Sequence, residues 1–119
     1  MTSRRLVLTE ARIREYSRRG NYHSEPATAA ALGLPGLVAQ GVHVAGPAYG
    51  TLLDAWGEEF LAHGEIELQF VGMVLAGEEV EATVTLGTGA DAGQATVEVR
   101  NATTERVAVV GHAQRVARP

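Results

Sequence analysis

Gly41-Val42-His43-Val44-Ala45-Gly46-Pro47-Ala48-Tyr49-Gly50-Thr51-Leu52-Leu53-Asp54-Ala55-Trp56 is the stretch on which the fold turns. Val42, Ala45, Tyr49, Leu52, Leu53 and Trp56 recur at helical spacing, and Val44 and Ala48 fill another face. Apolar residues on more than one face predict a helix buried on most of its sides. Gly46-Pro47 is awkward inside it. Proline lacks an N–H and crowds the carbonyl four residues earlier, here that of His43. A kink is expected there, or a helix that starts near Pro47.

After Gly57 the period changes from helical to alternating. Ile66, Leu68 and Phe70 alternate with Glu65, Glu67 and Gln69, and Val80, Ala82, Val84 and Leu86 alternate with Glu79, Glu81, Thr83 and Thr85. Ala95, Val97 and Val99 repeat the pattern, and Val107 to Val116 forms a last, more apolar run. Four strands follow from this, three half-exposed and the last more buried. Gly87 to Gly93 and Asn101 to Glu105 supply the turns between the last three. Before the long helix, Leu6-Val7-Leu8 reads as a short strand. Thr9 then caps a helix running to about Arg18, with Ala11, Ile13 and Tyr16 as its apolar contributors and Gly20 after it. Ala27 to Leu32 forms a short Ala-rich helix, stopped by Gly33 and Pro35. Helices first and an antiparallel meander after them indicate an α+β fold, a curved sheet wrapped around one long helix.

Composition removes several kinds of chemistry. There is no cysteine, so disulfides, thiolate catalysis and Cys-based zinc sites are excluded. All ten basic residues are arginine, which excludes a lysine nucleophile, a Schiff base or a P-loop lysine. A net charge of −4 argues against a nucleic-acid partner. No apolar run reaches the roughly 18 residues of a membrane span, and none resembles a secretory signal, so a cytoplasmic protein is expected.

Chemistry concentrates in Asn21-Tyr22-His23-Ser24-Glu25-Pro26 and in Gly33-Leu34-Pro35-Gly36-Leu37-Val38-Ala39-Gln40-Gly41. His23 lies on a polar loop, and eighteen residues later Gly41 stands where the apolar helix can begin. This pairs a proton-transfer group with backbone N–H donors, the two things that chemistry at a thioester carbonyl requires. Each residue also has a plainer role. A loop histidine is often only solvated, Asn21 suits a turn, and Glu25-Pro26 suits a helix start. Gly41 permits close helix–sheet packing, and His43, in the first turn, fits a buried hydrogen-bonded histidine as well as an acid or base. Arg12, Arg14, Arg18 and Arg19 form a basic cluster, either a solvated face or a binder of coenzyme A or carrier-arm phosphates. The four histidines have no tight metal-ligand spacing, and His63 and His112 are assigned no role.

This order of elements and motifs resembles the hotdog fold, and within it the MaoC-like (R)-specific enoyl-thioester hydratases and dehydratases. His23, Glu25, Ala29 or Ala30, Gly33, Pro35 and Ala39-Gln40-Gly41 fall where that family places its His, acidic residue, Ala, Gly, Pro-containing turn and Ala-His-Gly step. Phe70 to Glu78 is similar to a later strand of the family, with Met73 where proline is usual. The resemblance implies hydration of a trans-2-enoyl thioester, or the reverse. An Asp and a His activate water, and an N–H at the start of the long helix polarises the carbonyl. By position, Gly41 and Val42 would present those N–H groups. Two departures stand out. Counting back from His23, the family's Asp is Arg18, which cannot act as a base, and Glu15 and Glu25 are not at that spacing. Gln40 replaces the usual His before Gly41.

The expectation is a single hotdog domain over residues 1–119, pairing as a homodimer, with no cofactor, no metal and no membrane. Its substrate would be a small molecule or an acyl-CoA or acyl-carrier-protein thioester. His23, Asn21, Gly41 and His43 are the candidate catalytic residues, and Arg18, Gln40, Val42 and Tyr22 the candidate substrate contacts. The alternatives are a hotdog repurposed for dehydration, cyclisation or isomerisation of a small biosynthetic intermediate, or a non-catalytic ligand-binding or partner subunit.

Overall fold

The computed structural model describes residues 2–17 and 23–115. Arg18, Asn21 and Tyr22 therefore lie outside the described residues, as do Arg19 and Gly20. Strand β1 spans Thr2–Leu8, helix α1 Glu10–Ser17, α2 Pro26–Ala31, α3 Gly41–Trp56 and α4 Glu58–His63. Strands β2 (Gly64–Phe70), β3 (Glu78–Leu86), β4 (Gln94–Asn101) and β5 (Arg106–Arg115) follow, with a 3-10 turn at Gly89–Asp91. The five strands form one antiparallel sheet in the order β1-β3-β4-β5-β2. Helix α3 packs on it, and this α+β arrangement is the hotdog fold.

Local chemistry explains the helix ends. Thr9 Oγ1 accepts the Arg12 N–H at 3.2 Å, and Glu10 sits in the positive first turn of α1. Proline occupies the first position of α2, where its missing N–H costs nothing. Gly33, at φ +78°, closes α2: its N–H donates to Ala30 O and that of Leu34 to Ala29 O, both at 3.0 Å. That pair of bonds is a Schellman motif, and Leu34 packs against the core.

Helix α3 runs unbroken from Gly41 to Trp56 with Pro47 inside it, so it does not start near Pro47. Gly46 has no Cβ, which removes part of the usual clash between proline and the residue before it. Val44, Ala45, Ala48 and Leu52 are all at most 3% exposed, and Val44, Ala48 and Leu52 share one core cluster with Val80, Ala82, Val84, Val97 and Val99 of the sheet. Val42, in the same apolar series, is instead 57% exposed.

The strands depart from a simple meander. Only β3, β4 and β5 are consecutive neighbours; β2 crosses to the far edge and pairs with β5, leaving β1 on β3. Strand β5 is not the most buried. Its alternation breaks at a bulge opposite Val99 and Arg100, so that Ala108 and Val109 are both buried in sequence. The bulge turns the Ala108 carbonyl toward the end of β2, where it accepts the N–H groups of Val71 (2.8 Å) and Gly72 (3.1 Å). A Cβ on Gly72 would lie 2.6 Å from the Val107 carbonyl oxygen, so the close approach needs glycine. His63, expected in a loop, ends α4.

The return from β2 to β3 is held by a buried polar node. Asn101, 1% exposed, donates to Glu78 Oε1 at 3.1 Å and accepts from the N–H groups of Thr103 and Thr104. Glu78 Oε1 also accepts the Leu75 N–H at 2.7 Å. Every bond here replaces one to water, which makes burying the amide tolerable.

Leu52→Ala should lower the unfolding free energy by about 3 kcal/mol, because it opens a cavity where α3 meets the sheet. Leu61→Ala, at a position 74% exposed, should change it by less than about 0.5 kcal/mol. Urea titrations followed by circular dichroism check both values.

Candidate active site

His23 and Gly41 line one groove of about 600 Å³. The turn before α2 carries His23, and the Schellman close of α2 brings Leu32 and Leu34 to the same wall. The chain then runs to α3 as a short bridge. Val38 pairs with Leu75, the Ala39 N–H donates to Val74 O at 2.8 Å, and the Ala76 N–H to Leu37 O at 2.9 Å. Phe70, Val71 and Met73, at the end of β2, form the opposite wall. Apart from His23, the lining side chains are apolar.

His23 Nδ1 lies 2.5 Å from the Val38 carbonyl oxygen. A carbonyl can only accept, so Nδ1 carries the proton and donates it. In the neutral ring the lone pair is then on Nε2, the tautomer a general base requires. Gly41 is the first residue of α3, and the leading N–H groups of a helix have no partner within it. Gln40 is the extended N-cap residue and its side chain makes no capping bond. Those N–H groups thus point a partial positive charge out of the helix start. Val42 contributes backbone there, while its side chain is exposed.

His43 does not face that groove. Two residues on along the helix it turns to the other side and lines a second groove, of about 620 Å³, with Ala11, Arg12, Glu15 and Tyr16. Its ring stacks on Tyr16, with centroids 4.3 Å apart and planes 11° from parallel. Its Nδ1 is buried and meets no hydrogen-bond partner among the described residues. Desolvation, and then the charge of Arg12, holds its pKa below the ordinary 6.5. Arg12 is itself tied to the Val7 carbonyl at 2.8 Å.

Among the described residues no group of three or more His, Asp or Glu is placed to hold a metal, and no helix is long and apolar enough to cross a membrane. The sequence model of the MaoC like domain matches residues 1–107. The chain belongs to the MaoC-like domain family.

Solved structures agree on the fold. A MaoC-like dehydratase from Phytophthora capsici superposes with a TM-score of 0.81 at 15% identity, over 99% of this chain and 42% of that one. The chain thus spans less than half of that protein. An (R)-hydratase from A. caviae involved in PHA biosynthesis gives 0.70 at 25% identity, over 94% and 91%. The R-hydratase PhaJ1 from Pseudomonas aeruginosa gives 0.77 at 13% identity, over 99% and 86%. No curated protein sequence matches the chain.

Within this MaoC-like fold the two residues singled out in the sequence, His23 and Gly41, share a groove, but the sequence missed what surrounds them. Phe70 closes an alternating run and reads as a core residue, yet it is 54% exposed and lies over Gly41. Ile66 and Leu68, earlier on the same strand face, do pack against the core. The close packing that glycine at 41 permits is taken up by the Phe70 ring. The Tyr16–His43 stack joins residues 27 positions apart on different helices, and no local pattern predicts it.

The His43 environment sets a pH dependence. As pH falls below about 6.5 the unfolded chain takes up this proton before the folded chain does, so stability drops across that interval. Above pH 7 both states are neutral there and the term vanishes. In His43→Phe, which keeps the stacking surface, the extra loss of stability between pH 7 and pH 5 should be smaller than in the wild type. Urea titrations at each pH measure the difference.

Proposed function

We propose that the protein is a MaoC-like acyl-thioester hydratase or dehydratase acting on a CoA or carrier-protein thioester, with His23 as proton-transfer group. The observation that carries this reading is that His23 and the N-terminus of α3 open onto one groove. In hydration, Nε2 takes a proton from water as the water oxygen bonds to C3 of the enoyl chain. The displaced π electrons reach the thioester oxygen, giving an enolate. The leading N–H groups of α3, at Gly41 and Val42, stabilise that charge. The enolate then collapses as C2 receives a proton, which the His23 imidazolium can return. Dehydration is the same path reversed.

Asn21, expected to hold the water, and Arg18 and Tyr22, expected near the substrate, enter this reading from the sequence alone. Gln40 stands beside the carbonyl position as the N-cap residue. His43, on the other side of α3, is left out of proton transfer. With arginine where the family's carboxylate is expected, one histidine must both take and return the proton, which predicts a slow enzyme.

Supporting relatives include the A. caviae (R)-hydratase and the ChsH1–ChsH2 and HadBC complexes of Mycobacterium tuberculosis, the last a 3R-hydroxyacyl-ACP dehydratase. The reading takes residues 1–119 as one hotdog unit that pairs with a second copy. An edge strand with unpaired N–H and C=O groups favours such pairing, and β2 is an edge strand beside the exposed Phe70, Val71 and Met73.

Mixed with short and medium trans-2-enoyl-CoA thioesters, the protein should remove the conjugated enoyl absorbance. His23→Ala should lower kcat/KM by about 10²–10⁴-fold with an unchanged circular dichroism spectrum. Turnover that is the same in His23→Ala would refute the assignment of His23.

A further inference from the structure

We propose that Phe70 sets the length of the acyl chain this groove accepts, restricting it to short chains of about four carbons. The inference rests on the acyl-thioester reading above and names its substrate class more closely.

The argument starts at Gly41. A Cβ built there would lie 2.8 Å from both Cδ1 and Cε1 of Phe70 and 3.3 Å from Cγ. One edge of the Phe70 ring is therefore laid against the backbone at the first turn of α3. A carbonyl oxygen held by the leading N–H groups of that helix lies about 3 Å from them. The atoms bonded to that carbonyl then start within a few bond lengths of the ring.

Which end of the thioester meets the ring follows from the reaction. C2 and C3 lie on the acyl side of the carbonyl, and His23 must reach them. His23 lines the groove that Phe70 walls, so the acyl side enters it. Its other lining side chains, among them Leu32, Leu34 and Met73, carry no charge, as an acyl chain requires. A chain running on past C3 meets the Phe70 ring, whereas a four-carbon chain ends beside it.

Phe70 can be changed with little risk to the fold. It is 54% exposed and at the last position of an edge strand, so Phe70→Leu and Phe70→Ala leave no sealed cavity. The test compares wild type, both variants and the distant surface control Leu61→Ala. One arm measures kcat/KM for four-, eight- and twelve-carbon trans-2-enoyl-CoA. The other measures Kd for butyryl-CoA and dodecanoyl-CoA, which bind without reacting.

Wild type should favour the four-carbon over the twelve-carbon substrate by about tenfold or more. Phe70→Ala should raise the twelve-to-four ratio about tenfold, Phe70→Leu by less, and Leu61→Ala not at all; the Kd ratios should move in parallel. One methylene in an apolar pocket changes discrimination by about tenfold or more, so effects of this size are within reach. Turnover by all proteins with unchanged ratios in Phe70→Ala overturns the role of Phe70 and leaves the lyase reading intact. No turnover, but a Kd ratio that shifts in Phe70→Ala, upholds Phe70 and overturns the lyase reading. Neither turnover nor acyl-CoA binding overturns both.

Discussion

Burying α3 on the concave side of the sheet is the constraint from which the rest of the structure follows. Its packing face is built from Val44, Ala45, Ala48, Thr51 and Leu52, which are nearly all small or branched. Small side chains let the helix axis come close to β3 and β4, and the alternating valines of those strands fill what is left. A helix so covered has satisfied N–H groups along its length and unsatisfied ones only at its start. That start cannot be buried against apolar side chains without cost, so the chain leaves it at a groove. The chemistry of the site is thus set by what the core cannot cover.

The second half of the site is set by a backbone irregularity on the opposite edge. The bulge at Ala108 aims one carbonyl at two N–H groups, those of Val71 and Gly72. Phe70 is the last residue in regular register, opposite Val109, and the ladder ends at the bulge just beyond it. The chain then turns and comes back as the Val74–Ala76 bridge beside Val38. The carbonyl of Val38, flanked by that bridge, is the one that accepts from His23. Bulge, bridge and the Val38–His23 bond therefore follow one another along one stretch of backbone.

The fold was legible because its signals are periodic and long. Sixteen residues with helical apolar spacing define α3, and β3 and β4 alternate over their full length. The placement of β2 was not legible, since alternation shows which side of a strand faces inward but not which neighbour it pairs with. Helix α4 was missed because Glu58 to His63 is too short to set up a period. In the candidate site, His23 and Gly41 were singled out by residue type, and the structure places both on one groove. Phe70 ends an alternating run, where the period alone points it to the core, yet it is 54% exposed opposite the buried Val109.

The two histidines near α3 illustrate why spacing along the chain is a poor guide to a shared site. His43 is two residues from Gly41, His23 eighteen, yet His23 shares its groove. Successive residues of a helix are turned by 100°, so position 43 is about 200° from position 41 and must face the other way. There burial and Arg12 both disfavour its charge, and Tyr16 lies against its ring. A base needs to reach the reacting carbon. His43 faces away from this groove, while His23, on a turn anchored to Val38, lines it. In the proposed reading the burden of proton transfer therefore falls on the loop histidine, while the helical one stacks on Tyr16 between α1 and α3.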